Sequence, residues 1–244
     1  MATVLLVRHG RTSANTAGIL AGRSPGVELD DFGRTQAGTL GERMAAVPLA
    51  TLVSSPLRRC RQTLQALVSA RAEPVPTAVD AGLIECGYGD WTGKSLKELS
   101  KEKLWTTVQQ QPSAVRFPGG EAMTEMAARA VGAVRTWDQK VTETHGGDAV
   151  WVAVSHGDVI KAILADALGT HLDTFQRIMV NPASVSVVRY TDTRPYVVTM
   201  NSSGSDLAAM FPPRKPAAKR SRRSRPASDD APVGGGLGSQ EPTA

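Results

Sequence analysis

Three short apolar runs, each followed by a helical pattern, constrain the fold of this chain more than any other feature. The runs are TVLLV (3–7), LATLVS (49–54) and DAVWVAVS (148–155). Their apolar residues are nearly continuous rather than alternating with polar ones, which is typical of strands covered on both faces. Strands that alternate with amphipathic helices indicate a mainly parallel sheet. We therefore predict an α/β fold, a three-layer α/β/α sandwich around that sheet.

Apolar residues at helical spacing place the helices between these runs. We expect helices over 32–47, from Leu57 to Val68, over 95–110, from Glu121 to about Thr144 and from Asp158 to Leu168. Ser55 is predicted to be the N-cap of the second helix, with Pro56 at its first helical position. Two further extended segments, 184–190 and 196–201, predict a closing hairpin.

The composition excludes several classes of protein. Hydrophobic residues make up 41% of the chain and glycine 23 positions, which is ordinary for a globular domain. There is no run of eighteen apolar residues and no secretory pattern at the N-terminus, so we expect neither a membrane span nor export. The two cysteines, Cys60 and Cys86, exclude a disulfide framework and favour a reducing cytoplasm.

The C-terminal part differs in composition from the rest. We predict a folded domain over 1–204 and a disordered basic tail over 205–244, because the Pro-, Gly-, Ser- and Arg-rich sequence cannot bury enough apolar surface to order itself. The tail holds seven basic and four acidic residues, so most of the net charge of +5 resides there. The body is therefore not expected to bind nucleic acid. The tail is either a solvated appendage or a weak contact for a polyanion or membrane surface.

Candidate functional residues follow the strands. His9 and His156 each come directly after an apolar run and before a glycine, and Arg58 and Arg59 follow the second run. Ligands bind at the carboxyl ends of strands in such sheets, where Glu85 also ends an extended segment. Arginine suits phosphate oxygens, so the set predicts an anionic, phosphate-bearing ligand. The arginines would repel a metal ion, and we predict neither a metal nor a cofactor.

These residue types indicate phosphoryl transfer. A neutral imidazole can attack phosphorus without losing a proton first, which splits one displacement into two through a phosphohistidine. A carboxylic acid can protonate the leaving oxygen and later recover the proton from water. Glu85 can do this only if its pKa is raised, and the balance between burial and the nearby arginines stays open at this level.

Five segments of the sequence resemble the signature blocks of a known family in the order in which that family carries them. They are LLVRHGRTSAN (5–15), SSPLRRCRQT (54–63), LIECGYGDWTG (83–93), FPGGE (117–121) and VSHGDVIK (154–161). The family is the histidine phosphatase superfamily, in the short bacterial branch of its phosphoglycerate mutase-like members. The resemblance extends to about residue 204.

The resemblance implies a role for individual residues. It makes His9 the phosphorylated nucleophile and Glu85 the proton donor. It makes Arg8, Arg59 and His156 the phosphate clamp, with Asn15 and the backbone of Gly157 as further phosphate ligands and Gly22 at the mouth of the site. Arg58 and Arg61 are expected outside the pocket.

Two departures from the family pattern bear on the substrate. Many members carry Gln-Gly where this chain has Ala21-Gly22, and the longer mutases carry a substrate-covering segment that is missing between Glu85 and FPGGE. We therefore expect a metal-independent phosphomonoesterase that acts on a small phosphorylated metabolite. A phosphoglycerate mutase-type phosphomutase is the alternative. A non-catalytic phospho-ligand sensor or scaffold, with the tail recruiting a partner, is a third. Members of the family often associate, which allows a homodimer, but nothing in the sequence specifies one.

Overall fold

A computed structural model of the chain describes residues 1–204 and Gly234. Within these residues the strands are β1 (Thr3–Arg8), β2 (Leu49–Ser54), β3 (Thr77–Val79), β4 (Val150–Ser155), β5 (Val185–Arg189) and β6 (Tyr196–Ser202). The α-helices are α1 (Ser13–Thr16), α2 (Asp31–Met44), α3 (Arg58–Ser69), α4 (Leu96–Leu99), α5 (Lys103–Gln110), α6 (Met123–His145) and α7 (Gly157–Ala167). Short 3₁₀ helices lie at Ala81–Leu83, Gly89–Trp91, Pro112–Ala114 and Leu172–Arg177. Apart from Gly234, the predicted tail lies outside the described residues.

The strands form a single mixed sheet in the order β3-β2-β4-β1-β5-β6. The four strands from β3 to β1 pair in parallel. The hairpin of β5 and β6 adds to β1 in antiparallel pairing. The mainly parallel sheet and the closing hairpin predicted from the sequence are thereby confirmed.

Both faces of the sheet are covered, which explains why the central strands are apolar without interruption. Along β1, Val4 and Leu6 belong to one apolar cluster, whereas Leu5 and Val7 belong to a second one. The first cluster includes buried apolar residues of α6 and α7, and the second includes buried apolar residues of α2 and α3. Successive side chains of a strand point to opposite faces, so helices flank the sheet on either side. The predicted three-layer α/β/α fold is confirmed.

The core packs around β1, which is one of the two central strands of the sheet. Leu6 is fully buried in β1, so Leu6→Ala should lower the free energy of unfolding by about 2–5 kcal/mol through lost burial and a residual cavity. The matched control is Val198→Ala in β6, where the side chain is 62% exposed and the change should stay within about 0.5 kcal/mol. Urea titration monitored by tryptophan fluorescence measures both. Equal midpoints for the two variants would contradict this placement of the core.

The prediction of a single helix over 95–110 is wrong, because the segment forms α4 and α5 with a break between them. Leu99 and Val108 are both fully buried. Nine residues apart on one helix, they would point to opposite sides, and the break lets both reach the core. Ser95 and Glu98 form a capping box at the start of α4, and the helix ends at its C-cap, Ser100. The other predicted helices agree with the structure to within three residues at each end.

None of the helices in the described part of the chain combines the length and the hydropathy needed to cross a bilayer.

Candidate active site

The register of the sheet places the two histidines side by side. Arg8 at the end of β1 pairs with Ser155 at the end of the parallel strand β4. The backbone N–H of His9 donates to the carbonyl of Ser155 at 3.0 Å. His9 and His156 therefore leave the sheet together, and their ring centroids lie 5.3 Å apart in an edge-on arrangement. Two stretches of chain separated by almost 150 residues thus meet at one point, as the strand-end argument requires.

Arg59 connects the two imidazoles. It lies in the first turn of α3, where its Nε donates to His9 Nε2 at 3.2 Å and its Nη2 donates to His156 Nδ1 at 3.1 Å. The same Nη2 donates to the carbonyl of Gly22 at 2.8 Å. Nη1 of this arginine is buried and has no hydrogen-bond partner among the described residues. An unmet, buried guanidinium donor between two imidazoles is a site for an oxyanion.

The hydrogen bonds of His9 determine which of its nitrogens is free. Nδ1 donates to the carbonyl of Gly10 at 2.7 Å, so Nε2 carries the lone pair that accepts from Arg59. Burial, followed by the charges of Arg59 and Arg8, holds the pKa of His9 well below its usual value. The imidazole is therefore neutral at pH 7, and Nε2 is available as a nucleophile.

His156 is held in the complementary way. Its Nδ1 accepts from Arg59, so its Nε2 carries the proton and donates to Ser55 Oγ at 2.8 Å. Burial and Arg59 hold the pKa of His156 well below its usual value. The prediction that Ser55 caps α3 is wrong. The N-cap is Leu57, whose side chain has no acceptor for a cap, and the Ser55 hydroxyl bonds His156 and the N–H of Leu57 instead of the first turn of the helix.

Arg8 supplies a second buried cation beside the imidazoles. Its Nη1 donates to the carbonyl of Val180 at 2.7 Å and its Nη2 to the carbonyl of Gly234 at 3.1 Å. Burial lowers the pKa of Arg8 to about 10, and the carboxylates of Glu85 and Asp158 oppose that shift. The side chain is therefore charged at pH 7, which gives the site two guanidinium groups.

Glu85 is brought to the histidines by hydrogen bonds to its backbone. Ser155 Oγ donates to the carbonyl of Leu83 at 2.8 Å, which ties the preceding 3₁₀ turn to the end of β4. Arg129 donates to the carbonyl of Glu85 at 3.0 Å and Arg23 to the same oxygen at 2.8 Å. Both arginines also bond the carboxylate of Glu121, the last residue of FPGGE. That sequence block therefore holds the main chain of Glu85 in place.

The carboxyl group of Glu85 has the ionisation expected of a proton donor. Its Oε2 lies 4.0 Å from His156 Nδ1, and its Oε1 accepts from the N–H of Cys86 at 2.9 Å. Burial, with the charge of Asp158 as the next cause, raises the pKa of Glu85 to about 7, whereas the arginines act in the opposite direction. The balance left open by the sequence therefore favours a carboxyl that is about half protonated at neutral pH.

The remaining predicted residues are placed as follows. Gly22 has a φ of +49°, and a Cβ there would come within 3.0 Å of Tyr88 and Thr92, which only glycine avoids. Gly157 is the first residue of α7, directly after His156. The Oδ1 of Asn15 accepts from the backbone and hydroxyl of Thr12 at 3.0 and 2.8 Å, closing the capping box of α1. No bond between Asn15 and the two imidazoles appears within residues 1–204.

Two arginines near the site were expected outside the pocket. The exposed side chain of Arg58 forms an ion pair with Glu28 at 3.1 Å, and Arg61 is exposed on α3.

Sequence reasoning missed a second layer of polar residues beside the site. Tyr88 donates through its hydroxyl to Asp158 Oδ2 at 2.7 Å, and Lys161 Nζ lies 3.7 Å from Asp158 Oδ1. All three side chains are buried. The available signal was a charged pair at i, i+3 within the otherwise apolar helix that follows His156. Burying charged side chains costs free energy, so such a pair is unusual in a buried helix.

Comparison with known proteins agrees with the geometry. The model of the histidine phosphatase superfamily (branch 1) matches residues 4–203. Phosphoserine phosphatase 1 of Hydrogenobacter thermophilus is 28% identical over 206 residues, 82% of this chain and 92% of that protein. A 2,3-bisphosphoglycerate-dependent phosphoglycerate mutase of Gloeobacter violaceus is 33% identical over 68% of this chain and 75% of that protein.

A solved structure shares the fold over the same part of the chain. YhfR of Bacillus stearothermophilus superposes with a TM-score of 0.74 at 27% identity, covering 83% of this chain and 98% of that one. The family resemblance read from the five sequence blocks is confirmed, as is the expectation of an enzyme. The chain belongs to the histidine phosphatase superfamily.

Proposed function

We propose that the protein is a metal-independent phosphomonoesterase that acts through a phosphohistidine on Nε2 of His9. The observation that carries the proposal is the bridge of Arg59 between the two imidazoles, with its buried Nη1 left without a hydrogen-bond partner among the described residues. A phosphoryl group placed there would meet the nucleophile on one side and donors from two residues on the other.

In the first step, His9 Nε2 attacks phosphorus while the phosphorus–oxygen bond to the leaving group breaks. Glu85 gives its proton to the leaving oxygen. The charge on the equatorial oxygens is stabilised by Arg59 and Arg8, which are already in place before the substrate arrives. The Nδ1–H bond to Gly10 holds the ring as it becomes positively charged.

In the second step, the carboxylate of Glu85 takes a proton from water, and the water oxygen attacks phosphorus. The phosphorus–nitrogen bond breaks, phosphate leaves, and His9 returns as a neutral imidazole with Glu85 protonated again. The two guanidinium groups supply the positive charge that a metal ion supplies in other phosphatases. Turnover should therefore be unchanged by EDTA, and loss of turnover that Mg²⁺ or Zn²⁺ restores would contradict this part of the proposal.

The raised pKa of Glu85 predicts the pH dependence. The donor must be protonated when the ester bond breaks, so log kcat/KM should be flat at low pH and fall as the pH rises through about 7, the pKa of Glu85. Glu85→Gln cannot give up a proton and should lower the rate about 10²- to 10⁴-fold for poor leaving groups. For p-nitrophenyl phosphate, whose leaving oxygen needs no proton, the loss should be much smaller. An unchanged high-pH limb in Glu85→Gln would contradict the assignment.

Incubation with 3-phosphoglycerate separates the phosphatase from the mutase, an alternative kept open by the relative named a phosphoglycerate mutase. We expect free phosphate, because the segment between Glu85 and Phe117 is shorter than the substrate-covering segment of the longer mutases. Accumulation of 2-phosphoglycerate without phosphate would favour the mutase.

The substrate is proposed to be a small phosphorylated metabolite of the cytoplasm. A relative named phosphoserine phosphatase makes phosphoserine the first ester to try, next to sugar phosphates and phosphoglycerates. The free, buried thiols of Cys60 and Cys86 are in keeping with a reducing compartment. Phosphate release over such a panel, with His9→Ala as the blank, would identify the preferred ester.

A further inference from the structure

The mechanism above gives the buried carboxylate of Asp158 no contact with the substrate. Asp158 lies in the first turn of α7, two residues after His156, and its side chain is fully buried. A carboxylate beside a phosphate site repels the ligand, and burying it costs free energy unless it is well bonded. Its presence therefore calls for an explanation beyond phosphate binding.

The bonds of Asp158 are incomplete. Its Oδ2 accepts from the hydroxyl of Tyr88 at 2.7 Å. Its Oδ1 receives no hydrogen bond within the part of the chain that the structure describes. Lys161 lies 3.7 Å from that oxygen, beyond hydrogen-bond distance, and donates instead to Gln176 at 3.0 Å. Lysine balances the charge, but the acceptor capacity of the carboxylate is left partly unfilled.

One contact shows that a donor inside the site reaches this carboxylate. The backbone N–H of Gly234 donates to Asp158 Oδ2 at 3.1 Å, and the carbonyl of the same residue accepts from Arg8 Nη2 at 3.1 Å. A group the size of one amino-acid residue therefore spans from the carboxylate to a guanidinium of the oxyanion site. A small ester that took the place of Gly234, with its phosphate against Arg8, would put a donor within reach of Asp158.

Asp158 is a neighbour of the proposed proton donor. Its charge is the second cause, after burial, of the raised pKa of Glu85, so the two carboxyls are electrostatic neighbours. The proton donor must face the leaving oxygen, and Tyr88, which bonds Asp158, also packs against Gly22 at the mouth. Atoms of the substrate next to the ester oxygen would therefore lie beside Asp158.

We propose that Asp158 is a specificity-determining residue that accepts a hydrogen bond from a hydroxyl or ammonium group close to the phosphate ester of the substrate. The inference rests on the proposed phosphatase activity and names its substrate class: phosphorylated amino alcohols and polyols rather than simple alkyl phosphates. Tyr88 and Lys161 hold the carboxylate in place for that contact.

Three esters of nearly equal size test the proposal with the full chain. They are 2-hydroxyethyl phosphate, 2-aminoethyl phosphate and n-propyl phosphate, which differ in one terminal group. The unaltered protein should prefer at least one of the two donor-bearing esters over the propyl ester about 10- to 100-fold in kcat/KM, the usual effect of a hydrogen bond to a charged group. Asp158→Leu should reduce that preference to less than twofold.

A second variant tells the two donors apart. Asp158→Asn keeps an acceptor oxygen but loses the charge, so a preference for the hydroxyl ester should survive in part and one for the ammonium ester should disappear. Because each readout is a ratio of two esters on one sample, a smaller folded fraction cancels. The matched control is Asp166→Leu on the same helix, where the side chain pairs with Arg135 at 2.8 Å and its loss should leave the ratios unchanged.

Three results would overturn the inference. The unaltered protein could hydrolyse the three esters at equal kcat/KM, which would remove the donor preference and leave the phosphatase proposal intact. The preference could persist in Asp158→Leu. Asp158→Leu and Gly234→Val could change all three esters by one common factor, which would assign Asp158 to holding Gly234 only. Failure to hydrolyse any ester would instead overturn the proposed phosphatase function, and the inference with it.

Discussion

Replacing His9 with alanine should lower kcat/KM for phosphate esters by about 10⁴-fold or more, the usual cost of removing a catalytic nucleophile. The reason is that the proposed mechanism forms the bond to phosphorus on His9 Nε2, whose lone pair faces Arg59, and alanine has no atom that can form this bond. Stopped phosphate-release assays at pH 6.5 measure the change. The variant should still bind vanadate or phosphate, because the two guanidinium groups remain.

The matched control for this change is His145→Ala. His145 is exposed at the end of α6, and its loss should leave the rate unaltered. A folded His9→Ala protein that turned over esters at more than a hundredth of the original rate would place the nucleophile elsewhere.

Replacing Arg59 with lysine should lower kcat/KM about 10²- to 10³-fold, the range seen when one preorganised donor to a transition state is removed. Lysine keeps the charge but not the planar fork, so it cannot contact both His9 and His156 as Arg59 does through Nε and Nη2. The loss should appear mainly in kcat, because the fork is matched to the oxygens of the transition state.

Arg58→Lys is the control on the neighbouring residue. Its exposed side chain pairs with Glu28, and the change should have little effect. If Arg58→Lys and Arg59→Lys lost activity equally, that result would contradict the assignment of Arg59 alone as the catalytic arginine.

The central strands of the sheet and the positions of the two histidines could be predicted from the sequence, for a physical reason. A strand buried on both faces must be apolar throughout, and β1, β2 and β4 are, so their ends and the residues after them are readable without a structure. Because the strands are parallel, those ends share an edge. His9, Arg59 and His156 could therefore be placed together, and the 5.3 Å between the imidazole rings is the direct outcome.

The features that could not be predicted from the sequence depend on packing between distant segments. β3 is a three-residue edge strand with two exposed positions, and only its pairing with β2 makes it a strand. Serine is a good capping residue type, but the Ser55 hydroxyl bonds His156 and the N–H of Leu57, and α3 begins only at Arg58. The pKa of Glu85 depends on burial and on Asp158, 73 positions away. The only sequence signal for Asp158 is its i, i+3 pairing with Lys161 in an otherwise apolar helix.

The most direct test of the account is to trap the phosphoenzyme. The protein is mixed with a ³²P-labelled ester at pH 6.5, quenched in alkali to preserve phosphohistidine, digested and sequenced by mass spectrometry. The account predicts at most one phosphoryl group per chain, carried by the peptide that contains His9 and attached to Nε2. Steady-state hydrolysis with no labelled intermediate, or a phosphoryl group on His156 or any other residue, would contradict it.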